Sequence, residues 1–200
     1  PGQPLGTFYV AKYIGYDELA KRTIYEKPSG ELVTQDQISA PDDYQIMGHA
    51  LPKFTYGWNN NLRYKSWDLN IFFRGMYGNQ IFNATRADLS RLQQANVSNV
   101  SKDAVEEGIF YIPLIASSRF IEDGSFLRLD NATLGYRFNV SNSKYFKQAR
   151  LYATGQNLFT ITNYTGVDPE VALGGLAPGI DNRNYYPKTR SFILGVSLTF

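Results

Sequence analysis

The stretch that decides the fold is Ser191-Phe192-Ile193-Leu194-Gly195-Val196-Ser197-Leu198-Thr199-Phe200. Successive side chains of a strand point to opposite faces, so every second residue shares a face. From Phe192 to Phe200 one face is large and apolar, whereas the other carries Ser, Gly and Thr, with Ile193 as its single large apolar residue. This pattern is typical of a membrane-barrel strand that contacts lipid on one side and is anchored by an interfacial aromatic ring.

A second two-faced strand lies at residues 54–65. Its apolar face carries Phe54, Tyr56, Trp58, Leu62 and Tyr64. A tight turn at Lys65-Ser66 leads into residues 67–82, whose first half repeats the pattern. The aromatic pair Tyr64 and Trp67 beside this turn fits a membrane interface, and the polar second face fits an aqueous lumen.

Six such strands are predicted along the chain. They cover residues 7–15, 54–65, 67–82, 126–138, 149–162 and 191–200. Each is near or above the ~9 to 11 residues that a tilted membrane-spanning strand needs. The apolar phase of the fourth strand changes between Leu129 and Leu134, which predicts a β-bulge near Asn131-Ala132.

The connections alternate between long and short, as in outer-membrane barrels with extended extracellular loops and brief periplasmic turns. The long loops are predicted at about 16–53, 83–125 and 163–190. Within them we expect a small hairpin, with its turn at 26–31, and a short helix at 86–95. Bacterial barrels begin at about eight strands, so this piece is expected to pair with further strands.

Composition excludes several classes of function. Lys plus Arg number 20 and Asp plus Glu 18, so charge gives no indication of nucleic-acid binding. There is no cysteine and one histidine, His49, which excludes thiolate chemistry and a histidine-based metal cluster. We therefore predict no catalytic residue, no metal site, no cofactor and no enzyme activity. The 15 Tyr and 13 Phe suit both membrane girdles and sugar-stacking surfaces.

Four segments, spread over roughly residues 45–200, resemble one known family. They are residues 48–57, 126–136, 157–164 and 186–200. Together they are similar to the C-terminal part of SusC/RagA-type TonB-dependent transporters of Bacteroidetes outer membranes. The expected fold class is therefore all-β. We predict an antiparallel transmembrane β-barrel, of which this chain forms about six strands.

The resemblance implies a 22-stranded barrel in the bacterial outer membrane, in contact with lipid and closed by an N-terminal plug. A SusD-like lipoprotein would cover its mouth, and TonB would drive import of oligosaccharides or peptides through the part that this chain lacks. Phe200 matches the aromatic residue that signals barrel assembly in the family. Two alternatives stay open, namely a secreted glycan-binding β-sandwich and a passive porin-like barrel.

Ligand contacts are predicted in the long loops, where aromatic rings can stack on sugars and charged side chains can bind hydroxyl or peptide groups. The candidates are Arg86, Arg119, Tyr164, Asp168, Arg183, Tyr185 and Tyr186. The competing interpretation is that these side chains pack loop on loop or against the lipoprotein.

Overall fold

The computed structural model describes residues 2–112, 115–170, 175–182 and 186–200. The chain divides into two compact units, the first being Lys53–Tyr77, Ser125–Asn163 and Pro187–Phe200. We call it the sheet unit. The second, the loop unit, comprises the described residues of Pro1–Pro52, Gly78–Gly124 and Tyr164–Tyr186.

Strands are the main regular structure of the described residues. In chain order these are β1 (Thr7–Val10), β2 (Lys12–Asp17), β3 (Arg22–Glu26), β4 (Leu32–Thr34), β5 (Gln45–His49), β6 (Phe54–Tyr64), β7 (Trp67–Tyr77), β8 (Gln80–Asn83), β9 (Ile121–Asp123), β10 (Phe126–Phe138), β11 (Gln148–Thr162), β12 (Ile180–Asp181) and β13 (Ser191–Thr199). The α-helices are α1 (Ala84–Leu89) and α2 (Lys102–Glu107), and 3₁₀ turns cover Gln35–Gln37, Leu92–Gln94 and Ser118–Phe120.

The sheet unit is a single antiparallel sheet with the order β13-β11-β10-β7-β6. Strands β6 and β7 form a hairpin in which Tyr64 pairs with Trp67, and Lys65 takes a left-handed φ of 54° in the turn. Strand β10 pairs with β7 on one side and β11 on the other. The predicted bulge is confirmed, because the β10 register shifts between Leu129 and Asn131, and against β7 this leaves Asp130 as the extra residue.

The count of about six strands in this sheet needs a correction, since the described sheet has five. The predicted strand 7–15 is broken at Ala11, where pairing changes from β5 to a parallel bridge with Ser117. Phe8, Val10 and Ala11 are all buried, so this segment packs into the loop unit instead of presenting an apolar face. The strand predicted at 67–82 is also divided, because Gly78 (φ 81°) separates β7 from β8.

The loop unit is built from three small sheets, of order β1-β5, β12-β8-β9 and β2-β3-β4. Small apolar clusters hold it together. One contains Ala11, Tyr25 and Val33, and another contains Ile109, Ile112 and Phe120. The predicted long loops are therefore folded segments with buried side chains of their own.

Local predictions inside the loops are met in part. The small hairpin forms as β3 and β4, with Gly30 (φ 85°) in its turn. The helix predicted at 86–95 is shorter and begins at Ala84, because the Asn83 side chain caps it by accepting from the Arg86 amide over 2.8 Å. Helix α2 was not predicted; Ser101 caps its start and Gly108 (φ 67°) ends it.

Candidate functional site

One face of the five-stranded sheet is apolar and exposed. In register, Trp58 pairs with Phe73, and Leu151 pairs with Val196, so the apolar residues of neighbouring strands share that face. Exposed fractions reach 62% for Trp58 and 82% for Leu194. A water-soluble protein rarely leaves so large a contiguous apolar surface uncovered, so this face fits contact with hydrocarbon.

Aromatic rings concentrate toward the two ends of this face. Trp67 and Tyr136 meet edge to face beside the short turns, with ring centroids 4.8 Å apart. At the other end Phe54 stacks on Tyr77 at 5.3 Å. The eleven residues of β6, at about 3.4 Å each and tilted about 45°, span roughly 26 Å along the membrane normal. That height matches an apolar band of about 25 Å between two aromatic girdles.

The opposite face is polar, and its side chains bond across the strands. Asn70 of β7 donates to Asn59 and to Asn61 of β6, over 2.8 Å in each case. Arg74 donates to Asp130 of β10 over 2.9 Å. Because Asp130 is the residue that the bulge adds, the bulge supplies the carboxylate that Arg74 binds.

An ion pair on the polar face crosses three strands. Arg150 of β11 donates to Asp68 of β7 through Nε (3.0 Å) and Nη2 (2.5 Å), and Arg137 lies 3.3 Å from the same carboxylate. The Arg150 side chain passes over β10 at Gly135, where an added Cβ would stand 2.5 Å from Arg150 Nε. Only glycine leaves room for this bidentate contact.

In the loop unit, Glu122 of β9 joins two segments of the chain. Its carboxylate accepts from Asn83 Nδ2 and Arg86 Nη1, both at 3.2 Å. It also accepts from the Thr165 amide and hydroxyl, both at 2.9 Å. One carboxylate with a side chain only 10% exposed therefore fixes the start of α1 to the chain after β11.

Glu107, the last residue of α2, bridges two arginines. One carboxylate oxygen lies 3.5 Å from Arg86 Nη2, and the other accepts from Arg119 Nη2. Arg119 Nη1 also donates to the Tyr13 hydroxyl at 2.8 Å, and its guanidinium lies 4.9 Å from the centre of that ring. Both arginine side chains therefore have bonding partners within the loop unit.

A buried phenol and carboxylate form a second pair in the loop unit. Tyr164 donates its hydroxyl hydrogen to Asp181, and both residues are at most 5% exposed. Burial first, and the neighbouring Asp181 second, raise the pKa of Tyr164 above its ordinary value. Asp168 is buried too, and its carboxylate accepts from the Glu170 amide at 2.8 Å.

The predicted ligand-contacting residues thus fall into four groups. Arg86 and Arg119 meet through Glu107, whereas Tyr164 and Asp168 are buried in separate contacts. Tyr186 is 79% exposed. Arg183 and Tyr185 lie outside the described residues.

Sequence reasoning missed the acidic partners of these loops. They are Glu107, Glu122 and Asp181. Glu122 lies 36 residues from Arg86 and 43 from Thr165, so no local spacing reveals the contacts. The sequence offered one signal, the presence of Arg86 and Arg119 in a predicted loop, since an arginine that becomes buried needs a carboxylate partner.

Two features are absent from the part of the chain that the structure describes. Its His, Asp and Glu side chains nowhere gather in a group of three or more that could hold a metal ion. None of its helices has the length and apolar character needed to cross a membrane.

The sheet and its two faces define the class of the protein, which is a portion of the wall of a transmembrane β-barrel. No protein-family model matches the chain. It is 32% identical to the TonB-dependent receptor P3 of Formosa agariphila, over 100% of this chain and 22% of that protein. It is also 32% identical to the TonB-dependent receptor SusC of Bacteroides thetaiotaomicron, over 100% of this chain and 18% of that protein.

Solved structures agree with these relatives. The structure of the RagAB peptide importer in its closed-closed state matches this chain with a TM-score of 0.76 and 27% identity. The match covers 97% of this chain and 23% of the importer's chain. Another structure of the RagAB peptide transporter gives a TM-score of 0.77 at 26% identity. The chain belongs to the SusC/RagA-type TonB-dependent receptors and spans about a fifth of the length of the relatives it matches. The resemblance predicted from the sequence is confirmed.

Proposed function

We propose that this chain forms part of the wall and outer loops of a TonB-dependent importer in the bacterial outer membrane. The observation that carries the proposal is the sheet whose one face is exposed and apolar while the other is polar and ion-paired. In a barrel wall the first face contacts lipid and the second lines an aqueous interior. A glycan-binding sandwich would instead cover its apolar face with a second sheet.

We propose oligosaccharides as the imported substrate, with peptides as the alternative. Support for a sugar comes from the match to a receptor named SusC, and support for a peptide from the match to the RagAB peptide importer. Energy would come from TonB through parts of the protein outside this chain. A SusD-like lipoprotein would close over the loops, which we assign to the extracellular side.

For ligand contact we propose Tyr186, since an exposed phenol ring is free to stack on a sugar or peptide. Arg183 and Tyr185 stay predictions from the sequence. Arg86, Arg119, Tyr164 and Asp168 would act indirectly, because their described contacts are within the loop unit. They would hold the loop backbone in the shape that the ligand or the lipoprotein meets.

The membrane assignment is tested by two neighbouring substitutions in β13. Leu194→Arg puts a charge on the apolar face, which costs about 2–4 kcal/mol near the bilayer midplane. Ile193→Arg puts the same charge on the polar face, since Ile193 pairs with Thr154. We expect folded receptor in outer-membrane fractions, measured by heat-modifiable gel mobility, to be lost in the first variant only. Equal loss in both variants would contradict the assignment.

Transport is tested in cells that carry the full-length receptor as their only importer of this type. Uptake of fluorescent oligosaccharides and of oligopeptides is compared with and without TonB, and with and without a SusD-like lipoprotein. We expect uptake of sugars that needs both components. Uptake that survives loss of TonB would support a passive porin, and uptake of peptides alone would select the alternative substrate.

A further inference from the structure

The end of the sheet at which the short turns lie carries a row of aromatic rings. Tyr64 pairs with Trp67 and Trp67 with Tyr136, so the row crosses β6, β7 and β10. Tyr136 also meets Phe138 edge to face, with ring centroids 5.0 Å apart. Tyr64 is 70% exposed, so the row is not covered within the sheet unit. We call these four rings and the two short turns, residues 65–66 and 139–147, the turn rim.

A second aromatic contact continues the turn rim to the last strand. Phe146, in the turn before β11, lies against Phe200 with ring centroids 5.2 Å apart. The Lys147 amide donates to the Thr199 carbonyl over 2.7 Å, which fixes this turn to the end of β13. Tyr145 is 77% exposed and Phe200 72%. The rim therefore leaves aromatic surface uncovered at this end as well.

The charges of the turn rim are all positive. Its two turns contain Lys65, Lys144 and Lys147, and no Asp or Glu. All three lysines are exposed, and none makes an ion pair with any residue that the structure describes. The Lys65 ammonium lies 5.3 Å from the centre of the Tyr64 ring. At least one of the three cations therefore stands beside the exposed aromatic row.

This combination complements the headgroup layer of a membrane. Aromatic rings prefer the boundary between hydrocarbon and water, and lysine stems can lie along apolar surface while the ammonium group reaches the phosphates. The row continues the exposed apolar face, because Tyr64 and Trp67 end the strands that carry it. A free phosphate ion would contact only the ammonium groups, whereas a phospholipid also covers the rings beside them.

We infer that the turn rim binds anionic phospholipids of the inner leaflet. Their headgroups lie at Lys65, Lys144 and Lys147, and their acyl chains lie against the aromatic row. A zwitterionic headgroup has no net charge with which to offset three lysines, so the rim selects lipids whose headgroups are negative overall. The choice of leaflet rests on the proposed function, in which the long loops are extracellular. The inference concerns the lipids around the receptor and does not depend on the transported substrate.

The test uses the full-length receptor in nanodiscs that contain phosphatidylglycerol and phosphatidylcholine in equal amounts. The photo-cross-linking residue p-benzoylphenylalanine replaces Tyr64, and the cross-linked lipids are quantified by mass spectrometry. The same probe at Trp58, on the same face of β6 but six residues from the turn-side Tyr64, is the positional control.

We expect the anionic lipid to prevail at the turn rim. Each lysine near an anionic surface contributes up to about fivefold in affinity, so at Tyr64 the yield of phosphatidylglycerol should exceed that of phosphatidylcholine about threefold to tenfold. At Trp58 the two yields should differ by less than about twofold. Equal yields at Tyr64 would overturn the inference.

Charge is tested by replacing Lys65, Lys144 and Lys147 together with Gln, which should bring the lipid ratio at Tyr64 below about twofold. Replacing the same three lysines with Arg keeps the charge and should keep the ratio. The matched control is Lys21→Gln, which removes an exposed lysine of the loop unit and should leave the ratio unchanged. An unchanged ratio in the triple Gln variant would also overturn the inference.

Failure of this inference is distinguishable from failure of the proposed function. Lipid cross-links at both Tyr64 and Trp58 with equal yields of the two lipids would overturn the lipid preference alone. Absence of lipid cross-links at both positions would contradict the membrane assignment, and the lipid site with it.

Discussion

Gly135→Ala should release the ion pair that crosses the polar face. The added methyl group would stand 2.5 Å from Arg150 Nε, well inside contact distance, so Arg150 must move away from Asp68. Of the two described ion-pair partners of Asp68, only Arg137 then remains, at 3.3 Å.

The expected cost follows from the bonds that are lost. Hydrogen bonds to charged groups are each worth about 1.5–3 kcal/mol, and this pair is only partly shielded from water, so we expect a loss of about 1–3 kcal/mol in the free energy of unfolding. Alanine also restricts the unfolded chain, which offsets the loss by about 0.4–1 kcal/mol. Gly57→Ala measures that offset, because a Cβ at Gly57 meets the Phe72 ring at an ordinary 3.4 Å on the same face.

The assay is urea unfolding of the full-length receptor in detergent, followed by heat-modifiable gel mobility. Gly135→Ala should be less stable than Gly57→Ala by about 1–3 kcal/mol. In an Asp68→Ala background that difference should shrink to less than about 0.5 kcal/mol, because the contact is already lost. If the difference is undiminished when Asp68→Ala is present, the argument that Gly135 acts by making room for Arg150 is refuted.

Four further predictions concern the loop unit. Glu122→Gln should weaken the anchoring of the chain after β11 by about 1–3 kcal/mol, seen as faster amide hydrogen exchange at Thr165; unchanged exchange would contradict the anchor. Tyr164→Phe should cost about 1–3 kcal/mol by leaving Asp181 without the phenol donor, measured by thermal unfolding against Tyr186→Phe. Because folding raises the pKa of Tyr164, the wild-type loop unit should lose stability as pH rises above about 10, and this loss should be smaller in Tyr164→Phe. Tyr186→Ala should lower ligand affinity about fivefold to tenfold with unchanged stability; unaltered binding would remove Tyr186 from the ligand site.

The sheet could be predicted because its pattern is local. Alternation with period two gave the bounds of β10 and placed β6, β11 and β13 within one residue at each end. The phase change in β10 likewise located the bulge to within two residues. In a membrane wall nearly every apolar side chain has to face one way, so tertiary packing has little scope to override the pattern.

The loop unit could not be predicted in the same way because its contacts are non-local. Residues 7–15 alternate like a barrel strand, yet Ala11 is fully buried and bridges to Ser117 over a hundred residues away. The pairing of Arg119 with Tyr13 likewise joins distant parts of the sequence. Among the predicted ligand residues, composition alone could not separate an exposed ring such as Tyr186 from a buried one such as Tyr164.

The bulge at Asp130 adds one residue to β10 without turning the apolar side chains before and after it to different faces. Leu127 and Leu129 precede it, and Leu134 follows, yet all share the apolar face despite the odd residue between them. Removing Asp130 would restore plain alternation between β10 and β7 and keep these leucines on the apolar face, at the expense of the partner of Arg74. The described part of β13 pairs without any such irregularity, so a one-residue deletion in its middle would turn half of its side chains over. Related receptors should therefore tolerate a one-residue deletion better at the bulge than in the middle of β13.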